Sequence, residues 1–133
     1  MTLPLQGIRV LDLTNVLAGP YCSMVLGDMG AEVIKVENTD KGDTSRNFEP
    51  QVNGESYCFA VLNRNKKSLA LDLQTAAGKE AVLRLIATAD IVSENFKPGT
   101  MEKLGLDYQT LKTLNPRLIY VSHKGFLPGP YEH

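Results

Sequence analysis

Ile8, Val10, Leu11 and Leu13 form an apolar run near the start of the chain, interrupted by Arg9 and Asp12. That pattern predicts a strand covered on both faces. Residues 14–19 read as the turn that follows. Pro20 sits where a first helical residue belongs, because its missing N–H is an unpaired donor at that position anyway. The helix it opens continues through Tyr21, Met24, Val25 and Leu26 and ends among residues 27–30, with Gly30 as a left-handed stop. Residues 31–37 predict a second strand. Val33 and Ile34 alternate there with charge, which reads as a strand either partly exposed or near an edge. Residues 38–54 show little periodicity and read as a long loop. Residues 56–62 make a short helical turn, residues 63–68 a basic turn, and residues 69–73 a third strand.

The clearest helix covers residues 75–89. Thr75 is its N-cap, and Val82, Leu85 and Ile86 form an apolar stripe at the helical period. Residues 90–94 predict a fourth strand, ending in the turn 95–100. Two short helices follow, at residues 100–104 and 108–114, the second capped by Asp107 and stopped before Pro116. Residues 118–122 are a fifth strand, His123 ends it, and residues 127–133 are turn-like. Alternating strands and helices predict a parallel sheet with right-handed crossovers. In the doubly wound order 3-2-1-4-5, strands one and four are neighbours at the switch point. The turns 14–19 and 95–100 then converge on one crevice, at the edge where open α/β sheets bind ligands. Amides at the start of the first helix favour an anion there.

Composition narrows the classes. The chain has 133 residues, 43% hydrophobic and 22% charged, with a net charge of −1, which suits one globular domain. No overall field draws it to nucleic acid or to an anionic membrane, and no apolar run is long enough to span a bilayer. The first residues lack the basic and apolar regions of a secretory signal. Cys22 and Cys58 are too few for a disulfide framework or a zinc site, so reduced thiols in the cytoplasm are expected, with Cys22 in the core. No Gly-rich dinucleotide fingerprint, P-loop or nucleophile elbow is present, and His123 and His133 are too few for a metal site. Arg64, Lys66 and Lys67 form the densest basic patch, read either as a solvated turn or as phosphate ligands. Asp12, Asp72 and Lys124 loosely fit a phospho-acceptor signalling domain, but strand one lacks the acidic pair such a domain uses to hold metal.

Several ordered segments carry a resemblance. Residues 4–14 (PLQGIRVLDLT) with Ala18-Gly19-Pro20, residues 30–37 (GAEVIKVE), Gly42-Asp43 with Arg46, residues 63–68 (NRNKKS), residues 94–99 (ENFKPG), residues 115–119 (NPRLI) and residues 122–125 (SHKG) together resemble the class III coenzyme A transferases, the family of formyl-CoA transferase, carnitine CoA-transferase and acyl-CoA racemases. The resemblance covers nearly the whole chain. It implies a Rossmann-like parallel sheet with flanking helices, residues 1–133 being the N-terminal, coenzyme A-binding part of the family's large domain. It also implies an enzyme that moves coenzyme A between carboxylic acids without a metal, and an intertwined homodimer. A racemase of acyl-CoA thioesters within the same family is the alternative.

Carried over by position, the contacts to coenzyme A are Leu17 and Ala18, Asn38, the run Leu71, Asp72, Leu73 and Gln74, the run Asn95, Phe96 and Lys97, and Lys103. Asn38 stands where relatives often carry an arginine, and Arg46 or the Arg64–Lys67 patch is the candidate substitute. The family's catalytic aspartate lies downstream of every residue here, so the resemblance assigns no nucleophile to this chain.

Overall fold

The computed structural model describes residues 2–126 and Gly129. The turn-like tail expected over residues 127–133, His133 included, otherwise lies outside the described residues. In chain order the elements are β1 (Arg9–Asp12), α1 (Ala18–Asp28), β2 (Glu32–Glu37), a 3₁₀ turn (Thr44–Asn47), β3 (Gln51–Val52), β4 (Glu55–Ser56), α2 (Tyr57–Leu62), β5 (Lys66–Ala70), α3 (Ala76–Ile86), β6 (Ile91–Glu94), α4 (Thr100–Leu104), α5 (Tyr108–Leu114) and β7 (Ile119–Ser122).

Five of the strands form one sheet in the order β5-β2-β1-β6-β7, and every pairing in it is parallel. This is the doubly wound order expected from the alternation of elements. Asp12 lies opposite Lys35 on one side and Ser93 on the other, and Glu94 lies opposite Ser122. The carboxyl ends of all five strands therefore share one rim.

Strand alternation divides the packing between two faces. Leu11, Leu13, Val36 and Val92 face α3, α4 and α5, where Val82 and Ile86 of α3, Met101 of α4 and Leu111 of α5 are buried against them. Val10 and Val33 pack with Ala31, Leu5 and Leu26 on the α1 side. Helix α3 starts where Thr75 accepts from the Gly78 N–H, and α5 where Asp107 accepts from the Thr110 N–H, both at the expected caps. After α1, the N–H of Gly30 (φ +103°) reaches Gly27 O and that of Ala31 reaches Leu26 O. These two bonds close the helix as a left-handed stop. Among the described residues, no helix is long and apolar enough to cross a membrane.

Several expectations are corrected. Helix α1 begins at Ala18, so Pro20 is its third residue. The first four helical N–H groups lack intrahelical partners, which is why proline is tolerated there as well. Strand β2 is internal, between β1 and β5. Its charges do not mark an edge; Lys35 and Glu37 are buried in ion pairs. The supposed loop 38–54 contains the 3₁₀ turn and most of a small hairpin in which β3 pairs antiparallel with β4. Asn53 (φ +54°) and Gly54 (φ +81°) make its turn, the conformation that an Asn-Gly pair adopts most readily. Strand β5 starts three residues earlier than expected, at Lys66, leaving residues 71–74 as the loop that leads into α3. Cys22 is half-buried rather than a core residue.

Candidate functional site

The turn after β1 is held on both sides. The Asn15 N–H donates to Asn95 Oδ1 at 2.9 Å, and Asn95 Nδ2 donates to Asn15 O at 2.7 Å. This two-way bond ties the loops after β1 and β6 together at the switch point. Lys35 Nζ donates to Thr14 O at 2.7 Å, and the Val16 N–H donates to Asp43 Oδ1 at 3.1 Å. Thr14 gives both its N–H and its hydroxyl to Asp12 Oδ1. Val16 has φ +73°, a left-handed conformation that a β-branched residue rarely adopts. Helix α1 follows at once, and its N-cap residue, Leu17, makes no side-chain cap. The first-turn amides of α1 thus open onto the rim without a capping side chain.

Beneath this turn lies a charged layer on the α1 face. Lys66 Nζ meets Asp12 Oδ2 at 3.0 Å, Lys35 Nζ meets Asp43 Oδ2 at 2.8 Å, and Arg46 grips both oxygens of Glu37 at 2.7 Å each. Burial would raise the Asp12 pKa, but the charges of Lys66 and Lys35 and the hydroxyls of Ser23 and Thr14 hold it below the usual carboxylate range. Burial likewise opposes ionisation of Asp43, and Lys35 and Ser45 outweigh it. Glu37 is held at about 2: burial acts against this, and hydrogen bonds from Arg46, Ser68 and the Asp43 N–H prevail. Arg46 also stacks on the Phe59 ring at 3.8 Å, which ties α2 into the same layer.

Two clefts open on the rim and meet at Phe96. The first, about 190 Å³, is walled by the loops after four parallel strands: Asn15 after β1, Asn38 after β2, Leu71 to Gln74 after β5, and Phe96 after β6. Its floor is apolar, from Leu13, Val36 and Leu104. Alone it is smaller than the usual pocket for a drug-sized ligand. The second, about 1070 Å³, runs from Asn95, Phe96 and Lys97 past Tyr108 and Tyr120 to His123 and Phe126.

The family model of CoA-transferase family III matches residues 5–133. The chain belongs to CoA-transferase family III. A succinate–glutarate CoA-transferase of Agrobacterium fabrum is 49% identical over 96% of the chain, which corresponds to 34% of that protein. A formyl-CoA:oxalate CoA-transferase of Rhodopseudomonas palustris is 44% identical over 99% of the chain and 31% of that protein. The crystal structure of a CAIB/BAIF family protein from Brucella suis superposes with a TM-score of 0.93 at 46% identity, covering 99% of this chain and 36% of that one. The chain thus spans about a third of the length of the relatives it matches.

Within this family III portion, the residues expected to meet coenzyme A are only partly gathered. Asn38, Leu71, Asp72, Leu73, Gln74 and Phe96 line the first cleft. Asn95, Phe96 and Lys97 line the second. Leu17 and Ala18 stand exposed at the start of α1 on the same rim, and Lys103 is exposed on α4; these three line neither cleft.

The basic patch is engaged in ion pairs, of which only that of Lys66 is buried. Arg64 pairs with Asp28, Lys67 pairs with Glu32, and Lys66 is buried against Asp12 and Pro20 O. Arg46 is likewise engaged by Glu37. Sequence reasoning missed Asn15, Lys35 and Asp43. The Asp43-Thr44-Ser45 segment did carry a signal: Asp43 takes the Ser45 N–H as the N-cap of the 3₁₀ turn. Ser93 Oγ and His123 Nε2 lie 2.9 Å apart near the carboxyl end of β6, where Ser93 is buried and His123 lines the second cleft. Among the described residues no group of three or more His, Cys, Asp or Glu is placed to hold a metal.

Proposed function

We propose that residues 1–133 form the coenzyme A-binding portion of a CoA-transferase that moves coenzyme A from an acyl-CoA donor to a carboxylic acid acceptor. One observation carries the reading: the loops after four parallel strands meet on a single rim, and Asn15 and Asn95 lock the two at the switch point. Apolar surface with amide side chains, as at Leu71, Leu73, Asn38 and Gln74, suits a nucleobase and its ribose. The uncapped start of α1 suits an anionic group or a polarised thioester carbonyl. Lys97 adds an exposed positive charge in the wider cleft. The curated relatives named above are transferases, which favours transfer over racemisation.

In the reading, this chain binds and orients the carrier and supplies no nucleophile. The chemistry is exchange of a thioester: the donor's acyl–sulfur bond breaks and its carbonyl carbon takes up one oxygen, so the donor leaves as a carboxylate. The acceptor carboxylate gives up one oxygen by cleavage of a C–O bond as its carbon bonds the sulfur, oxygen and sulfur changing places with no net oxidation. An intertwined homodimer, which the family resemblance implies, belongs to the same proposal; light scattering on the purified protein tests it.

Titration calorimetry with coenzyme A tests the binding itself. Binding is expected to weaken about tenfold in Lys97→Glu, because an attraction to phosphate becomes a repulsion. Absence of binding by the unaltered protein overturns the reading. Equal binding by the variant removes Lys97 from the site.

A further inference from the structure

Asp43 and Lys35 are a fully buried ion pair, with neither side chain more than 1% exposed. A pair so placed is weak evidence for stability, because desolvation offsets the attraction. What distinguishes this pair is where its remaining bonds go. Lys35 Nζ donates to Thr14 O and the Val16 N–H donates to Asp43 Oδ1, so the two partners hold the backbone on either side of Asn15. Asn15 itself is fixed by Asn95. Asp43 is in turn immobilised, since Ser45 gives it both its N–H and its hydroxyl and the Asp43 N–H donates to Glu37. The residue so gripped, Val16, is the one with φ +73°. It immediately precedes Leu17 and Ala18, the N-cap and first residue of α1.

We propose that the Lys35–Asp43 pair is a positioning device that keeps Val16 left-handed and so sets where Leu17, Ala18 and the first amides of α1 stand relative to Asn95 and Phe96. The proposal rests on the coenzyme A reading above and deepens it. It also assigns a task to residues 38–47, which line the site through Asn38 alone and yet reach the turn after β1 through Asp43. A valine relaxing to negative φ would swing Leu17 and Ala18 away from the rim while Asn15 stayed tied to Asn95. Glycine at the same position adopts the left-handed conformation with no Cβ penalty, so it makes the outside grip unnecessary.

That difference supplies a test that a merely structural role for Asp43 would not pass. In the full chain, coenzyme A affinity is measured by calorimetry for the unaltered protein, for Asp43→Ala, and for Asp43→Ala combined with Val16→Gly. Asp43→Ala is expected to weaken binding at least about tenfold, the scale of one or two displaced contacts to the ligand. Adding Val16→Gly is expected to recover about fivefold or more of that loss, because the turn regains its conformation without a partner. If Asp43→Ala leaves Lys35 too poorly paired to fold, the combination Lys35→Met with Asp43→Leu takes its place. It removes both charges together, which buried pairs tolerate well.

Unchanged affinity in the first variant overturns the positioning role and leaves the coenzyme A reading standing. A loss that glycine does not repair also overturns it. Failure of the unaltered protein to bind coenzyme A overturns the underlying reading and this proposal with it.

Discussion

Gly78→Ala sets two effects of opposite sign against each other. Gly78 lies in the first turn of α3, where alanine is favoured over glycine by about 1 kcal/mol. A Cβ built on Gly78, however, would lie 2.0 Å from the Asp72 carbonyl oxygen and 2.7 Å from its carbon. Those atoms are backbone and cannot swing aside as a flexible side chain would. Asp72 O is also engaged, accepting from the Thr75 N–H at 3.2 Å and the Thr75 hydroxyl at 2.9 Å. Relief requires the loop 72–74 or the start of α3 to move by about 1 Å, and overpacking of this kind costs about 1–3 kcal/mol. The net expectation is a loss of up to about 2 kcal/mol in urea unfolding, the clash offsetting or outweighing the propensity gain. The loop that must move carries Asp72, Leu73 and Gln74, which wall the first cleft. Coenzyme A affinity should therefore fall about tenfold, equivalent to about 1.4 kcal/mol. A Gly78→Ala protein that is more stable, and binds coenzyme A as before, would refute the claim that this glycine is there for close approach to the cleft wall.

Asn95→Ala removes both bonds to Asn15 and should lower stability by about 1–3 kcal/mol in urea unfolding, with a parallel loss of coenzyme A affinity; an unaltered affinity would separate the two loops functionally. Lys66→Met leaves Asp12 charged and buried without its partner, so a loss of about 3–5 kcal/mol is expected by the same measurement. Arg64→Ala, in contrast, should leave the unfolding midpoint essentially where it was, because its pair with Asp28 is exposed. Glu37 has its folded pKa depressed to about 2 from an ordinary 4.5. Its stabilisation is therefore present above about pH 4.5 and lost as pH falls toward 2. After allowance for solvent screening it amounts to roughly 1–2 kcal/mol, read as the difference in urea midpoint between pH 6 and pH 3. Glu37→Gln should flatten that difference, and an equally steep profile in the variant would assign the acid sensitivity to other carboxylates.

How legible the fold was depended on how far each element's partners lay along the chain. Helices α4 and α5 have the expected bounds because their signals are local: Gly99 enters α4 with φ +77°, Gly105 leaves it with φ +68°, and Asp107 caps α5. The parallel sheet followed from alternation, since a parallel pair needs a crossover and the crossovers share one hand; the order 3-2-1-4-5 was one doubly wound arrangement consistent with it, and is the one observed. The hairpin β3–β4 was present in the dipeptide Asn53-Gly54, but its strands are two residues each and have no alternation to count. The start of β5 was misplaced because Lys66 and Lys67 look like turn residues. On this edge strand Lys67 is exposed and pairs with Glu32, while Lys66 is buried and meets Pro20 O of α1 and Asp12, the latter 54 positions away.

The same distance dependence separates the two layers of the candidate site. Of the cleft wall, the turn that carries Phe96 followed from topology, whereas Leu71 to Gln74 came from the family resemblance, residues 69–73 reading locally as strand. The layer beneath it was not, because each of its members reads locally as something ordinary: Lys35 and Glu37 as exposed strand charges, Asp43 as a loop residue, Val16 as a helix-preceding apolar residue. Their roles exist only in combination. Lys35 needs both Asp43 and Thr14 O, eight and 21 positions away, to be buried without a net loss, and Val16 needs Asp43, 27 positions away, to stay left-handed. A single charged residue in an internal parallel strand would be strongly unfavourable. Three of them on one face, Asp12, Lys35 and Glu37, each at the carboxyl end of β1 or β2, signal a rim whose polar groups satisfy one another. In a doubly wound sheet that is the ligand-binding rim, so internal strand charges next to the switch point are better read as supports for a binding turn than as marks of a sheet edge.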